Sequence, residues 1–221
     1  WRWDLPSCPP QYRMDASSNR RGWAERTGDF SPAYYADLGP NKVSKSLVTL
    51  FDHHVSKEAS ILELGCSSGR HLAHLHENGF ENLTGIDIND AAFGVMAGAY
   101  PELADSGTFY TGAIERLVPE FDENAFDVVY SVETLQHVHP DDEWVFEEFV
   151  RITGKLLVTV ENEGPDPENN STDGPVQFVD GQFPLYHRNW NRVFTDRGLD
   201  QLLAHRSRPD TIRAFGAAGN D

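Results

Sequence analysis

Ile61-Leu-Glu-Leu-Gly-Cys-Ser-Ser-Gly-Arg70, followed by Leu83-Thr-Gly-Ile-Asp-Ile-Asn89, is the stretch that decides the fold of this chain. An apolar strand enters a glycine-bearing turn and then a helix, and an acidic residue closes the next strand. A doubly wound α/β sheet binds an adenosine-containing cofactor with that order of elements. Gly65 lets the backbone bend at the strand end, and Gly69 lets the following helix pack close. The helix N-terminus then offers free N–H groups to an anion.

The pattern on either side of this stretch alternates. Val43, Leu47, Leu50 and Phe51 recur at helical spacing behind Asn41, an N-cap residue, and predict a helix over 41–55. Strands are expected at 61–64, 83–86, 108–110, 126–131 and 155–160, with helices at 68–78 (stopped by Gly79), 90–99, 141–152 and 188–197. The last strands are expected at 199–204 and 211–215. Strands alternating with helices predict a mostly parallel sheet with helices on both faces. Residues 1–39 carry Trp1, Trp3, Tyr12, Trp23, Phe30, Tyr34 and Tyr35 without a period and read as an irregular arm or cap. The domain proper is read as 40–221. A Gly/Pro/Asn/Asp-rich segment follows the fifth strand and makes 161–187 a candidate functional loop.

Composition narrows the classes. Asp and Glu total 35 against 18 Lys and Arg, and lysine occurs only at 42, 45, 57 and 155. Such an excess repels phosphate backbones and anionic lipid, so nucleic acid is not an expected partner. An acid-rich, lysine-poor surface suits a high-salt cytoplasm, where screening removes self-repulsion, and a halophile protein is the expectation. No apolar run approaches the ~20 residues that span a bilayer, and no signal-peptide order opens the chain, so a cytoplasmic protein is expected. Cys8 and Cys66 make no disulfide framework.

Position 67 discriminates among cofactors. A dinucleotide fingerprint needs glycine there so that a pyrophosphate can approach; Gly65-Cys-Ser-Ser-Gly69 has serine, preceded by the acidic Glu63. The same string mimics a hydrolase nucleophile elbow centred on Ser67, a reading that leaves Asp87 unexplained.

Glu63-Leu-Gly-Cys-Ser-Ser-Gly69 resembles the first motif of class I S-adenosylmethionine-dependent methyltransferases, with serine at the middle glycine. Asp87 stands where that family places the acid that binds both ribose hydroxyls. Phe109-Tyr-Thr-Gly-Ala-Ile-Glu115 resembles its third-strand segment. Phe126-Asp-Val-Val-Tyr-Ser-Val-Glu-Thr-Leu-Gln-His-Val138 resembles the fourth-strand motif of its small-molecule branch. The resemblance runs over about 58–215 and implies a Rossmann-like, three-layer α/β/α fold: a seven-stranded, mostly parallel sheet with an antiparallel last strand. It implies S-adenosylmethionine as cofactor, with S-adenosylhomocysteine as product. Its cofactor site would comprise Glu63, Gly65, Cys66, Ser67, Gly69, Arg70, Asp87, Ile88, Ala113, Ile114 and Ser131. One departure stands out: the acid that often follows the third-motif glycine, taking the adenine amino group, is replaced by Ala113.

For several residues a structural role competes with the functional one. Glu63 can cap the turn, Asp87 can cap the next helix, and Arg70 can be a solvated helix residue. His137, after the fourth strand, is the candidate general base, with a backbone hydrogen bond as its alternative. Glu133, Tyr35 and Tyr186 are candidate substrate contacts, and Tyr34, His139 and His187 lie on the same segments. His71, His74 and His76 lack a nearby Cys or acid to complete a metal set, so no metal is expected. The implied reaction is methyl transfer to a small-molecule acceptor that the sequence does not name. An NAD(P)-dependent oxidoreductase and a non-catalytic, cofactor-binding partner subunit remain as alternatives, and oligomeric state is open.

Overall fold

In a computed structural model, residues 14–164, 177–181, 183–207 and 209–217 are described. Trp1, Trp3, Cys8, Tyr12 and most of the Gly/Pro/Asn/Asp-rich stretch (165–176) lie outside them. Five strands run parallel: β1 (Ile61–Leu64), β2 (Leu83–Asp87), β3 (Thr108–Thr111), β4 (Phe126–Val132) and β5 (Thr153–Asn162). They are followed by β8 (Leu199–Ser207) and β9 (Asp210–Ala217), giving a seven-stranded sheet in the order β3-β2-β1-β4-β5-β9-β8. The antiparallel strand, β9, is last in the chain but lies between β5 and β8, so β8 takes the edge and runs with the other five.

Residues alternate between the two faces of each central strand, as a two-residue period requires. Ile61, Val128, Tyr130, Val158 and Val160 pack on one face with Leu47 and Phe51 of α3 (Lys42–His54) and Leu72 and Leu75 of α4 (Arg70–Glu77). Leu62, Leu64, Val129 and Leu157 pack on the other with Phe146 and Phe149 of α8 (Val145–Ile152) and Trp190 and Phe194 of α9 (Trp190–Thr195). Helices α5 (Ala92–Ala99), α6 (Pro101–Ser106) and α7 (Ile114–Leu117) complete the crossovers. Asn41 caps α3 as expected: its Oδ1 accepts from Val43 and Ser44 while Ser44 Oγ accepts from the Asn41 N–H, a reciprocal capping box. No helix of the described residues is long and apolar enough to cross a membrane.

Three expectations need correcting. Among its described residues the arm is not irregular: residues 16–38 contain α1 (Ala16–Ala24) and α2 (Pro32–Leu38). Asp15 caps the first by accepting from Ser18, and Ser31 followed by Pro32 starts the second. The expected insert loop begins as strand, because β5 continues through Asn162, and it contains a hairpin of β6 (Gln177–Val179) and β7 (Phe183–Leu185). The segment expected to be helical from Asp141 is a single 3-10 turn at Pro140–Asp142, and α8 starts only at Val145.

Candidate active site

A cavity of about 300 Å³ opens where β1, β2 and β4 end, and the arm forms its opposite wall. Ligands of open α/β sheets bind at these carboxyl ends. Of the residues read from the sequence, the structure brings Glu63, Gly65, Cys66, Ser67, Arg70, Asp87, Ile88, Ala113, Ile114, Tyr35, Glu133 and His137 to this one cavity.

The turn after β1 is built by close approach. Gly65 sits at φ 72°, and a Cβ there would lie 2.3 Å from Thr134 Oγ1. Ser67 also adopts a left-handed backbone, φ 50°, a conformation that is strained for serine. Its N–H donates to Asp87 Oδ2 at 2.7 Å, which holds it there. Asp87 Oδ1 accepts from the Asn89 N–H at 2.8 Å and so braces the turn before α5, but it does not cap that helix, which starts at Ala92 behind Ala91 without a side-chain cap. An ionised carboxylate offers about four acceptor sites, so two remain. Burial raises the pKa of Asp87, and the N–H groups of Asn89 and Ser67 oppose it.

Glu63 is 1% exposed. The parallel register sets Tyr130 beside it, and the Tyr130 hydroxyl donates to Glu63 Oε2 at 2.9 Å. Burial pushes its pKa up to about 8, while the Tyr130 hydroxyl and the charge of Arg70 pull down. Arg70 is not a solvated helix residue: it is 8% exposed and lies over the Tyr35 ring at 4.7 Å. It makes no hydrogen bond or ion pair with the described residues. Cys66 is a buried free thiol whose pKa burial raises.

Gly69, Ser131 and Tyr186 do not line the cavity. Gly69 caps α4 at φ 79°, where a Cβ would lie 2.6 Å from Met96 Cε. Ser131 faces away from Glu63 because strand neighbours alternate, and its hydroxyl donates to Glu161 Oε1 at 2.8 Å. The Tyr186 N–H donates to the Gln136 carbonyl at 2.8 Å, with the ring against Arg188 and His139.

His137 lies in the wall with its ring 4.5 Å from Trp23. Nδ1 is 3.0 Å from the Pro184 carbonyl, an acceptor, so Nδ1 carries the proton and Nε2 the lone pair. Burial lowers its pKa to about 4 and keeps it neutral. Glu133 has φ 50°, and its side chain has no hydrogen-bond or ion-pair partner among the described residues. The histidines at 71, 74 and 76 have separate partners in Ser44, Glu77 and Ser106. Among the described residues no three His, Cys, Asp or Glu side chains assemble as a metal site.

Sequence reasoning missed the fasteners. Asn19 Nδ2 donates to the His137 carbonyl at 2.7 Å, and Asn89 Nδ2 reaches the Arg26 carbonyl at 3.0 Å and that of Trp23 at 3.4 Å. Arg20 pairs with Asp142. Glu161, fully buried, accepts from the N–H groups of Thr134, Leu135 and Gln136 and so holds the loop after β4; burial raises its pKa to about 7. Arg188 clamps the same loop through Glu143 and the carbonyls of Leu135 and Val138. The N-cap signals of the arm were present in the sequence; the partners of these side chains were not.

Residues 62–156 match a family profile described as a methyltransferase domain. Phosphoethanolamine N-methyltransferase 3 of Arabidopsis thaliana is 22% identical over 77% of this chain, which spans 34% of that protein's length. Two solved structures share the fold. Geranyl diphosphate C-methyltransferase from Streptomyces coelicolor, in complex with S-adenosyl-L-homocysteine, has a TM-score of 0.64 at 13% identity and covers 92% of this chain and 98% of its own. Magnesium protoporphyrin IX methyltransferase from Synechocystis, with bound S-adenosylmethionine, has a TM-score of 0.59 at 15% identity and covers 90% of this chain and 89% of its own. Profile and fold agree with the resemblance read from residues 63–69, 87 and 126–138: residues 62–156 are similar to a methyltransferase domain, and the chain shares the fold of these S-adenosylmethionine-dependent methyltransferases.

Proposed function

We propose that this chain transfers the methyl group of S-adenosylmethionine to a small molecule held between the arm and the loop after β4, releasing S-adenosylhomocysteine. The observation that carries the reading is a single cavity that holds Glu63, Arg70 and Asp87 together with Tyr35, Glu133 and His137. The residues fit the cofactor. Arg70, buried and without an anion, suits its carboxylate, and Glu63 suits its ammonium group. The spare acceptor sites of Asp87 suit the ribose hydroxyls, and Ile88, Ala113 and Ile114 suit the adenine faces. A dinucleotide gains no such support, because Ser67 occupies the turn where its pyrophosphate must approach.

Bound S-adenosylmethionine supplies an activated methyl group on a sulfonium, so the protein need supply only proximity, alignment and a dry site. The relative from Arabidopsis is named for methylation of an amine nitrogen, and an amine suits this cavity too. Arg20 and Arg26 are already paired with Asp142 and Asp180, which leaves the Glu133 carboxylate available to a cation. Trp23, Phe30 and Tyr35 add aromatic faces. A protonated amine must give up its proton before it attacks, and Glu133 and the Nε2 lone pair of His137, which lies 3.5 Å from the Gln136 amide nitrogen, are the acceptors at hand. His137, neutral above about pH 4, is available throughout the physiological range.

The test is incubation with methyl-labelled S-adenosylmethionine and a panel of small amines, phenols and carboxylic acids. Label on an amine with matching release of S-adenosylhomocysteine is expected. Tight cofactor binding with transfer to no acceptor would favour the non-catalytic partner subunit instead. The acidic excess also supports a protein of a saline cytoplasm. Its unfolding temperature should climb with added potassium chloride, and full stability at low ionic strength would remove that reading.

A further inference from the structure

Adenine presents an exocyclic amino group, a hydrogen-bond donor that asks for an acceptor. Where the family usually has an acid directly after the third-motif glycine, this chain has Ala113, whose methyl group accepts nothing. Two residues on, Glu115 stands in the first turn of α7 and lines the same cavity as Ala113, Ile114 and Ile88. Its side chain is 12% exposed. Arg20 of α1 brings a positive charge to 3.9 Å from Glu115 Oε1, beyond hydrogen-bond reach, because its direct bond goes to Asp142. Asp142 is thereby spent on Arg20, and Glu115 keeps oxygen lone pairs for a ligand. Burial raises the pKa of Glu115, with a smaller push from the Asp142 charge, and its own backbone N–H and the Arg20 charge work against that rise.

We propose that Glu115, steadied by Arg20 of the arm, accepts the hydrogen bond of the adenine amino group in place of the acid missing at position 113. The arm thereby takes part in reading the cofactor as well as the acceptor. This inference rests on S-adenosylmethionine being the cofactor, and S-adenosylhomocysteine serves as the internal control.

The experiment compares calorimetric affinities for S-adenosylhomocysteine and S-inosylhomocysteine, in which a carbonyl oxygen replaces the amino group. A carboxylate facing that oxygen repels it, whereas a glutamine amide turns to donate to it. Wild-type protein should prefer the adenosyl compound by about 10- to 100-fold, the worth of one charge-assisted hydrogen bond. Glu115→Gln should bring the ratio to within about threefold of unity, and adding Ala113→Asp to that variant should restore at least about tenfold. Arg20→Met, which leaves Glu115 in place, should lower the ratio by about threefold or more. A wild-type ratio near one, or Glu115→Gln and Arg20→Met with the wild-type ratio intact, overturns the proposal. Failure of wild-type protein to bind either compound overturns the cofactor reading itself, and this inference with it.

Discussion

The half of the cavity proposed for the cofactor and the half proposed for the acceptor are built in different ways. The cofactor half is tied by main chain among strands that are neighbours in the sheet. Cys66 N–H donates to the Ile86 carbonyl, Ser67 and Asn89 N–H groups to Asp87, and Gly112 N–H to the Asp87 carbonyl. The acceptor half is assembled from segments far apart in the chain, joined largely by single side-chain amides and ion pairs: Asn19 to the His137 carbonyl, Asn89 to the arm, Arg20 to Asp142. The difference teaches that one half is preformed by the sheet, while the other can loosen without unfolding it.

Asp87→Ala strikes the preformed half and should have the largest effect. It removes the proposed ribose acceptor and the brace of the Ser67 turn together, so calorimetry should show S-adenosylhomocysteine affinity falling by at least about 100-fold. Asn89→Ser strikes the assembled half. Serine keeps an oxygen for the Ala91 N–H, which Asn89 Oδ1 now serves, but does not reach the carbonyls of Trp23 and Arg26. Amide exchange across residues 16–38 should quicken by about tenfold or more, with S-adenosylhomocysteine affinity within about threefold of wild type. Equal losses in both variants would mean that the two halves are one unit.

The preformed half was legible in the sequence because its requirements are backbone requirements. A glycine at Gly65, a carboxylate at Asp87 and an apolar strand at Ile61–Leu64 are imposed by turn geometry and pleat, and they recur as local patterns. The arm escaped because α1 is polar, with Ser17, Ser18, Arg20 and Arg21 on its surface, and only its caps announce it. Glu161 escaped for another reason. A lone acid at the end of a buried strand is indistinguishable in sequence from a loop residue until the three N–H groups it serves are seen.

Two smaller effects probe the preformed half from within. His71 is buried and neutral, its Nδ1 2.9 Å from Ser44 Oγ, and burial lowers its pKa to about 3 from an ordinary 6.5. The unfolded chain therefore takes up a proton near pH 6.5 that the fold refuses. The stability that neutral His71 confers is whole above pH 6.5 and drains away as pH falls toward the folded value. Measured by denaturant unfolding, the advantage of wild type over His71→Gln should shrink by about 1.4 kcal/mol per pH unit between about pH 6 and 4. Ser67→Gly relieves the left-handed serine. It should raise stability by up to about 1 kcal/mol while leaving S-adenosylhomocysteine affinity unchanged, and a loss of affinity would show that the Ser67 side chain itself touches the cofactor.

The central claim is that Glu63, Arg70 and Asp87 form a site for one adenosyl amino acid, and calorimetric titration of the unmodified chain tests it most directly. S-adenosylhomocysteine should bind one to one with micromolar or tighter affinity, and NAD+ should give no heat. Binding of NAD+ in its place, or no response to S-adenosylhomocysteine by a folded protein, would contradict the account.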